Sequence, residues 1–207
     1  MNKDAAPLPT QALKRGRDLV VDLAGSALWG FFGAAYLSLA LRGGDYLDVG
    51  LFLFYLLAAC FMVIRRPAQR KVAWWENVLA WLCVFIPIAG LRPAAGGWEI
   101  SGLVFQSLGL LGLVAALSSL KHSFGIAPAD RGLVTTGLYR YVRHPIYASE
   151  LVFNAGYLIS NPSWRNLGVL LLMVATQVAR ILREEKIISG YALYADQVRW
   201  RCLPGIW

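Results

Sequence analysis

A row of residues that could bind or act on a ligand opens an apolar segment in the second half of the chain. The segment begins Arg143-His144-Pro145, with Tyr147 three residues and Glu150 six residues after His144. Proline is favoured at the first position of a helix, because its missing N–H needs no partner there, so His144 is predicted to cap the helix. The spacing places His144, Tyr147 and Glu150 on roughly one side of that helix. A histidine and a carboxylate so arranged could exchange protons with a bound substrate.

The polar side of this helix continues to Asn154, four residues beyond Glu150. A carboxylate within an apolar span is energetically costly and by default marks a functional or structural polar site. The polar row therefore predicts a ligand site. The alternative is a purely structural role, in which Glu150 pairs with Arg140 or Arg180.

A pair of neighbouring carboxylates, Glu184 and Glu185, lies between Arg183 and Lys186. Adjacent carboxylates repel one another, so they suit a cationic partner such as an ammonium, a sulfonium or nearby arginines. Acidic residues near the end of a helix also oppose its macrodipole, which favours a functional reason for their presence. The alternative is an ordinary solvated helix end.

The loop before His144 and the tail after the acidic pair carry weaker signals. In the loop, Gly132 and Gly137 flank polar residues and permit close approach of the backbone to a ligand. The tail, residues 191–207, is aromatic and basic, and it predicts a short amphipathic helix on the membrane surface, followed by a turn at Pro204-Gly205. Its alternative role is a simple interfacial anchor.

Composition indicates a polytopic membrane protein. Hydrophobic residues make up 57% of the 207 residues and charged residues only 15%, whereas roughly a quarter of residues are charged in a typical soluble domain. The net charge of +8 arises from basic residues that lie between apolar runs, so it indicates membrane orientation rather than nucleic-acid binding. The three cysteines are scattered, so neither a disulfide framework nor a metal site is predicted.

The predicted fold is an all-α integral membrane protein with about six transmembrane helices. Apolar runs of suitable length predict these spans at about 19–41, 47–64, 72–90, 100–120, 146–160 and 164–182. Three regions follow from this division: a polar arm at 1–18, a four-helix membrane scaffold at 19–120 and a catalytic region at 121–207. The polar start of the chain argues against a cleavable signal peptide.

Charge distribution predicts that both termini lie in the cytoplasm. With that orientation, 17 of the 20 Lys and Arg residues fall on the cytoplasmic side, leaving only Arg42, Arg92 and Arg165 on the other side. Such an asymmetry is what the positive-inside rule requires. The short Asn161-Pro162-Ser163 turn makes the last two spans antiparallel neighbours, which brings Glu184 and Glu185 near the segment at His144. Glycines in the fourth span predict close helix packing.

The residues of the catalytic region also resemble a known family. The segments RGLVTTGLYRYVRHPIYASE, REEK and YALYADQVRWRCLPGIW are similar to those of the isoprenylcysteine carboxyl methyltransferase family and of the related phospholipid N-methyltransferases. The resemblance covers about residues 121–207. It implies an integral-membrane methyltransferase that uses S-adenosylmethionine without a Rossmann domain. The cofactor would lie in a cytoplasm-facing pocket between the last two spans, capped by the loop and the tail.

The resemblance also implies roles for particular residues. The expected cofactor-binding residues are Leu133, Gly137, Tyr139, His144, Tyr147, Glu184 and Glu185. Arg201 would lie near the head group of the substrate and is the candidate to hold an acceptor carboxylate. Arg143 and Glu150 complete the predicted catalytic set.

The predicted function is S-adenosylmethionine-dependent methylation of a lipidic or prenylated acceptor, with a carboxylate as the favoured acceptor group and a methyl ester as the product. A carboxylate is already a nucleophile and needs no general base, whereas an amine or thiol acceptor could use His144 or Glu150. The short chain and its charge pattern suggest a bacterial inner membrane, with the active site facing the cytoplasm. One alternative is an NADPH-dependent membrane reductase of the sterol reductase type, which shares the HP-x-Y motif and a following glutamate. Another is a non-catalytic membrane protein.

Overall fold

The computed structural model describes residues 16–207, which fold mainly into α-helices. The seven α-helices of this described part are α1 (Gly16–Leu41), α2 (Tyr46–Ile64), α3 (Trp74–Gly90), α4 (Glu99–Leu120), α5 (Pro145–Ser160), α6 (Trp164–Ile187) and α7 (Tyr191–Gln197). The first six coincide with the six predicted apolar segments. The predicted arm at 1–18 lies largely outside the described residues, and the division into three regions stays a prediction.

Four of these helices are long and apolar enough to cross a membrane. They are α1, α2, α4 and α6, whose candidate spans are Asp18–Leu41, Tyr46–Ile64, Glu99–Ser123 and Trp164–Ile187. The other two apolar helices are shorter, with 17 residues in α3 and 16 in α5. At 1.5 Å per residue, 16 residues rise about 24 Å, which is less than the roughly 30 Å of a bilayer core. Six membrane crossings and cytoplasmic termini therefore remain predictions.

Helices α4 and α5 pack closely because glycines remove side chains from their interface. A Cβ atom added at Gly109 would collide with the backbone of Phe153, and one added at Gly156 would collide with the backbone of Gly102 and Gln106. Small residues at a helix interface allow two backbones to approach in this way. The predicted role of the glycines in the fourth span is confirmed, and α4 supports the helix that begins at His144.

Helices α1 and α2 are joined by a buried ion pair at one end. The Nε of Arg65 donates a 2.7 Å hydrogen bond to Asp22, and both side chains are at least nine-tenths buried. Deeper along the same interface the rings of Trp29 and Tyr55 stack with their centroids 5.6 Å apart. A buried pair of this kind leaves neither charge without a partner.

The hairpin of α5 and α6 turns at Asn161-Pro162-Ser163, as predicted. Ser163 caps α6 by accepting a hydrogen bond from the backbone N–H of Asn166. The Asn166 side chain is fully buried and donates to the carbonyl oxygens of Arg92 and Asn161. This hairpin and the α3–α4 connection are therefore locked together, and the side chains near the start of α5 face those near the end of α6.

One element departs from the all-α prediction. Residues Arg70–Lys71 (β1) and Ala129–Asp130 (β2) form a short antiparallel pair between the α2–α3 connection and the long loop. Asp130 is buried and accepts hydrogen bonds from the backbone N–H groups of Gly132 and Ser189. The pair is only two residues long, too short for hydrophobic alternation to reveal it in the sequence. It fixes the loop over the ends of α2 and α6.

Candidate active site

A cavity of about 430 Å³ lies beneath the long loop, between α5, α6 and α7, and extends among α1, α2 and α3. Seven of the ten predicted site residues line it: Leu133, Tyr139, Arg143, His144, Tyr147, Glu150 and Glu184. Gly137, Glu185 and Arg201 do not line it. The hairpin and the loop thus bring most of the predicted residues to one place.

His144 caps α5, as predicted, with Pro145 at the first helical position. Its side chain is only 5% exposed, and Nε2 lies 2.9 Å from the hydroxyl of Tyr191 and 3.4 Å from Glu185. Nδ1 lies 3.7 Å from Glu184. The backbone N–H of His144 donates to the carbonyl oxygen of Arg201, so the tail runs directly beside the motif. The imidazole is held between both glutamates and α7.

Glu184 is the member of the acidic pair that faces the cavity. The hydroxyl of Tyr147 donates a 2.5 Å hydrogen bond to its Oε1. Tyr147 is buried, and the guanidinium of Arg180 lies over its ring at 5.1 Å from the centroid. A carboxylate fixed by a buried tyrosine, at the edge of a cavity, is well placed to meet a cationic group of a ligand.

Glu185 points away from the cavity and anchors the tail. Arg201 donates two hydrogen bonds of 2.9 Å, one to each carboxylate oxygen of Glu185. Arg143 lies 3.4 Å from the same carboxylate, and the hydroxyl of Tyr191 donates to it at 3.3 Å. Arginines were among the partners that the acidic pair predicted. Glu185 therefore reaches the cavity through His144, Tyr191 and Arg143.

Arg201 is held in place by the tail itself as well as by Glu185. Its guanidinium lies over the ring of Trp207, 5.1 Å from the centroid, and its backbone N–H donates to the carbonyl oxygen of Trp207. To hold an acceptor carboxylate, as the resemblance implies, Arg201 would have to exchange Glu185 for the acceptor. That role stays a prediction.

Glu150 is hydrogen-bonded within the hairpin. The side chain of Gln177 donates to its Oε2 at 2.9 Å. The Asn154 side chain donates to the backbone oxygen of Glu150 at 2.8 Å rather than to the carboxylate. The positive charge of Arg180 nonetheless attracts the Glu150 carboxylate, so the pairing considered as the structural alternative stays a prediction.

The loop residues close the cavity in different ways. Leu133 packs against Tyr191 and Tyr194, and the carbonyl oxygen of Tyr139 accepts a 2.7 Å hydrogen bond from the Tyr194 hydroxyl. Gly137 has a φ of +62° and starts a short 3-10 turn, where a Cβ would collide with Ser119. Gly137 therefore shapes the loop without lining the cavity.

The tail contributes more to the site than an interfacial helix would. Helix α7 ends at Gln197 and buries Tyr191 and Tyr194 against the loop and α5, instead of continuing through Arg199 and Trp200. Burial raises the pKa of Tyr194 to about 12, so its hydroxyl stays a hydrogen-bond donor at neutral pH. The spacing of the two tyrosines was visible in the sequence, but nothing there said which face would be buried.

The cavity also contains donors that sequence reasoning missed. In the described part of the chain, the buried side-chain nitrogens without a partner are Nε1 of Trp29 and the Nε atoms of Arg131, Arg143 and Arg180. All four residues line the same cavity. Buried donors without partners are rare in folded proteins and call for an explanation. A cavity with this set of N–H groups suits a ligand that is rich in acceptor oxygens.

Comparison with known proteins agrees with the resemblance read from the motifs. The family model described as phospholipid methyltransferase matches residues 95–195, just under half of the chain. None of the curated proteins that were compared matches the sequence. The matched segment runs from the loop before α4 into α7 and contains His144, Tyr147 and Glu184, but neither Trp29 nor Arg201. Residues 95–195, which form most of the cavity wall, are therefore similar to the phospholipid methyltransferase family, a family of integral-membrane methyltransferases.

Proposed function

We propose that this protein is an S-adenosylmethionine-dependent membrane methyltransferase that methylates a lipidic acceptor, preferably at a carboxylate. One observation carries the proposal. Glu184, in the segment that matches the family, lines the cavity beside His144 and is held there by the hydroxyl of Tyr147. A fixed carboxylate in a water-poor cavity is suited to binding a cationic group.

The residues that line the cavity fit such a cofactor. A volume of about 430 Å³ lies within the roughly 300–1,000 Å³ of small-molecule sites. Glu184 would pair with the ammonium of the methionyl part, and the unpartnered Nε of Arg143 would meet its carboxylate. The rings of Tyr139 and Tyr191 and the alkyl side chain of Leu133 beside them offer an apolar surface for the adenine.

The protein would contribute positioning and the exclusion of water. When bound, S-adenosylmethionine supplies an electrophilic methyl group on a sulfonium. The chain must hold the acceptor in line with that group, and the buried side chains of Tyr139, His144 and Tyr147 keep water out of the cavity. An acceptor carboxylate would be nucleophilic without a base. An amine acceptor would have to lose a proton, for which His144 or Glu150 is available in the cavity wall.

The pairing of Glu185 with Arg201 would hold the tail against this site. Glu185 is hydrogen-bonded or ion-paired with residues just before α5, in α7 and in the tail, so loss of its charge would release several contacts at once. We expect Glu185 to be required for cofactor binding through these contacts. The predicted direct role of Arg201 at an acceptor carboxylate belongs to the same proposal.

The location of the site is proposed from the charge distribution. If the positive-inside pattern of the sequence holds, the ends of α2, α4 and α6 near His144 lie on the cytoplasmic side. The cofactor would then enter from water and the lipidic acceptor from the bilayer. A bacterial inner membrane is the proposed membrane.

A binding experiment tests the proposal. Purified full-length protein is titrated with S-adenosylhomocysteine and with NADPH in a calorimeter, and Glu184→Gln is compared with the exposed control Asp196→Asn. We expect saturable S-adenosylhomocysteine binding that is weakened about tenfold or more by Glu184→Gln and unchanged by Asp196→Asn. Binding of NADPH alone would instead support a reductase. Binding of neither ligand would support a non-catalytic protein.

An activity experiment identifies the acceptor group. The protein is incubated with methyl-labelled S-adenosylmethionine and a membrane lipid extract, and the labelled lipid is treated with alkali. A methyl ester loses its label under these conditions, whereas an N-methyl group keeps it. Label that resists alkali would contradict the proposed carboxylate acceptor.

A further inference from the structure

The cavity has a limb that lies outside the segment matched to the family. This aromatic limb is lined by Trp29 and Tyr36 of α1 and by Phe54 and Tyr55 of α2. The ring centroid of Tyr55 lies 5.6 Å from that of Trp29 and 5.5 Å from that of Tyr36, and both pairs are stacked. Trp29 and Tyr36 are seven residues apart on one face of α1, which corresponds to about 10 Å along the helix. The limb is therefore a largely aromatic part of the cavity wall that extends along α1.

A charged residue of the long loop, Arg131, belongs to the wall of the same cavity. It lines the cavity, and its Nε is buried without a partner. The carboxylates of Asp22 and Asp18 attract its charge, but the Nε atom keeps no hydrogen-bond partner. The neighbouring Arg65 is already paired with Asp22. Burial, together with the charge of Arg65, outweighs the attraction of Asp22 and Asp18 and lowers the pKa of Arg131 to about 10, so Arg131 remains charged at neutral pH.

Each of the other two arginines of the cavity has a partner in the protein. Arg143 lies beside Glu185, and Arg180 donates a hydrogen bond to the carbonyl oxygen of Ile126. A largely buried guanidinium with an unsatisfied N–H group is unfavourable, and a bound anion would offset that cost. The planar guanidinium suits the two oxygens of a carboxylate or a phosphodiester.

We propose that Arg131 binds the anionic group of an amphiphilic acceptor whose apolar body lies along the aromatic limb. The inference rests on the proposed function, because it identifies the limb as the acceptor side of the same cavity. Leu133, two residues after Arg131, packs against Tyr191 and Tyr194 on the proposed cofactor side. Arg131 thus lies at the junction of the two sides, where an acceptor carboxylate would meet the methyl group.

The position of Trp29 supports a ligand that enters the limb. Trp29 is 6% exposed, and its Nε1–H is buried without a partner although it lines the cavity. A second oxygen of the acceptor could receive this hydrogen bond, deeper along α1 than Arg131. Because Trp29 and Tyr55 precede residue 95, acceptor selection would depend on helices outside the family segment.

Binding of amphiphiles in the absence of cofactor tests this inference. Purified full-length protein in a non-ionic detergent is titrated with oleate, with lysophosphatidylglycerol and with oleyl alcohol, and bound ligand is counted by native mass spectrometry. Arg131→Gln removes the charge, Arg131→Lys keeps it, and Arg140→Gln neutralises an exposed arginine of the same loop. The affinity for S-adenosylhomocysteine is measured for each variant. A variant that keeps the wild-type affinity is folded.

We expect one anionic amphiphile per protein, bound about tenfold or more tightly than oleyl alcohol. Arg131→Gln should abolish that difference, Arg131→Lys should keep part of it, and Arg140→Gln should leave it unchanged. Competition between oleate and lysophosphatidylglycerol shows whether the site prefers a carboxylate or a phosphodiester, and either preference supports an anion site.

Two results would overturn the inference. One is equal affinity for oleate and oleyl alcohol. The other is a loss of S-adenosylhomocysteine affinity in Arg131→Gln with oleate binding unchanged, which would place Arg131 on the cofactor side. A wild-type protein that binds oleate through Arg131 but does not bind S-adenosylhomocysteine would overturn the proposed function and support the anion site.

Discussion

The hydroxyl of Tyr147 donates a 2.5 Å hydrogen bond to Glu184, which joins α5 to α6 at the wall of the cavity. The Nδ1 atom of His144 lies farther from the same glutamate, at 3.7 Å. The bond holds the carboxylate at the cavity edge in one orientation. A ligand cation would therefore meet a carboxylate that is already positioned, which reduces the entropic cost of binding.

Removal of this hydroxyl should weaken cofactor binding while the fold is kept. In Tyr147→Phe the ring and its contact with Arg180 remain, but Glu184 loses its donor. We expect the affinity for S-adenosylhomocysteine, measured by calorimetry, to fall about tenfold. The matched control is Tyr141→Phe, because Tyr141 is 68% exposed. Equal affinity in both variants would mean that the tyrosine does not position Glu184.

The pair of Glu185 and Arg201 should show coupled effects on tail stability. Single variants Glu185→Gln and Arg201→Gln each remove one charge of the ion pair and at least one of its two 2.9 Å hydrogen bonds, and the double variant has no ion pair left to lose. We expect a coupling free energy of unfolding of about 1–3 kcal/mol in a double-mutant cycle. Protease protection of residues 191–207 should fall in both single variants. Additive effects of the two substitutions would contradict the pairing.

The helix positions were predictable because long apolar runs and their flanking turns are local features of the sequence. Pro145 indicated the start of α5, and Asn161-Pro162-Ser163 indicated the turn before α6. Site residues on that hairpin followed from the antiparallel packing that so short a turn requires. Sequence reasoning was therefore most successful where contacts are made between elements that are neighbours along the chain.

Contacts between distant parts of the chain were not predictable in the same way. Adjacent residues on a helix point about 100° apart, so Glu184 and Glu185 could not both face one cavity, and only packing shows which one does. Gln177 and Asn166 become polar partners only once α6 is placed against α5 and the α3–α4 connection. The electrostatic surroundings of Arg131 depend on Arg65, which directly follows α2 and lies more than 60 residues earlier in the sequence.

The α4–α5 interface should tolerate no side chain at its central glycine. A Cβ at Gly156 would collide with the backbone of Gln106 and Gly102. We expect Gly156→Ala to lower the free energy of unfolding by about 1–3 kcal/mol, because neither backbone can move aside cheaply. Gly168→Ala is the control, since no heavy atom lies within 4 Å of that Cβ position. Thermal unfolding in detergent measures both variants, and equal melting temperatures would contradict the close packing.

The loop anchored by Asp130 should be sensitive to acid. Burial alone would raise the pKa of Asp130, but hydrogen bonds from Ser189 and Gly132 outweigh it and hold the pKa below its usual 3.8. A carboxyl with a depressed pKa stabilises the fold above its unfolded-state pKa, and this stabilisation is lost as the pH falls through the folded-state pKa. We expect the wild type to lose stability below about pH 4 more steeply than Asp130→Asn. Parallel curves for the two proteins would exclude Asp130 as the source.

The acceptor class can be read from the effect of removing a possible base. Glu150 lines the cavity, and its Oε2 accepts a hydrogen bond from Gln177, an arrangement that the amide oxygen of Glu150→Gln can reproduce. A carboxylate acceptor needs no deprotonation, so we expect Glu150→Gln to retain more than about a tenth of the wild-type rate and S-adenosylhomocysteine affinity to be unchanged. Gln177→Glu places a second carboxyl group beside that of Glu150. We expect this variant to lower the free energy of unfolding, while the methylation rate of the folded protein changes less. A loss of about 100-fold or more in Glu150→Gln, with cofactor affinity intact, would show that the acceptor must lose a proton and would favour an amine over a carboxylate.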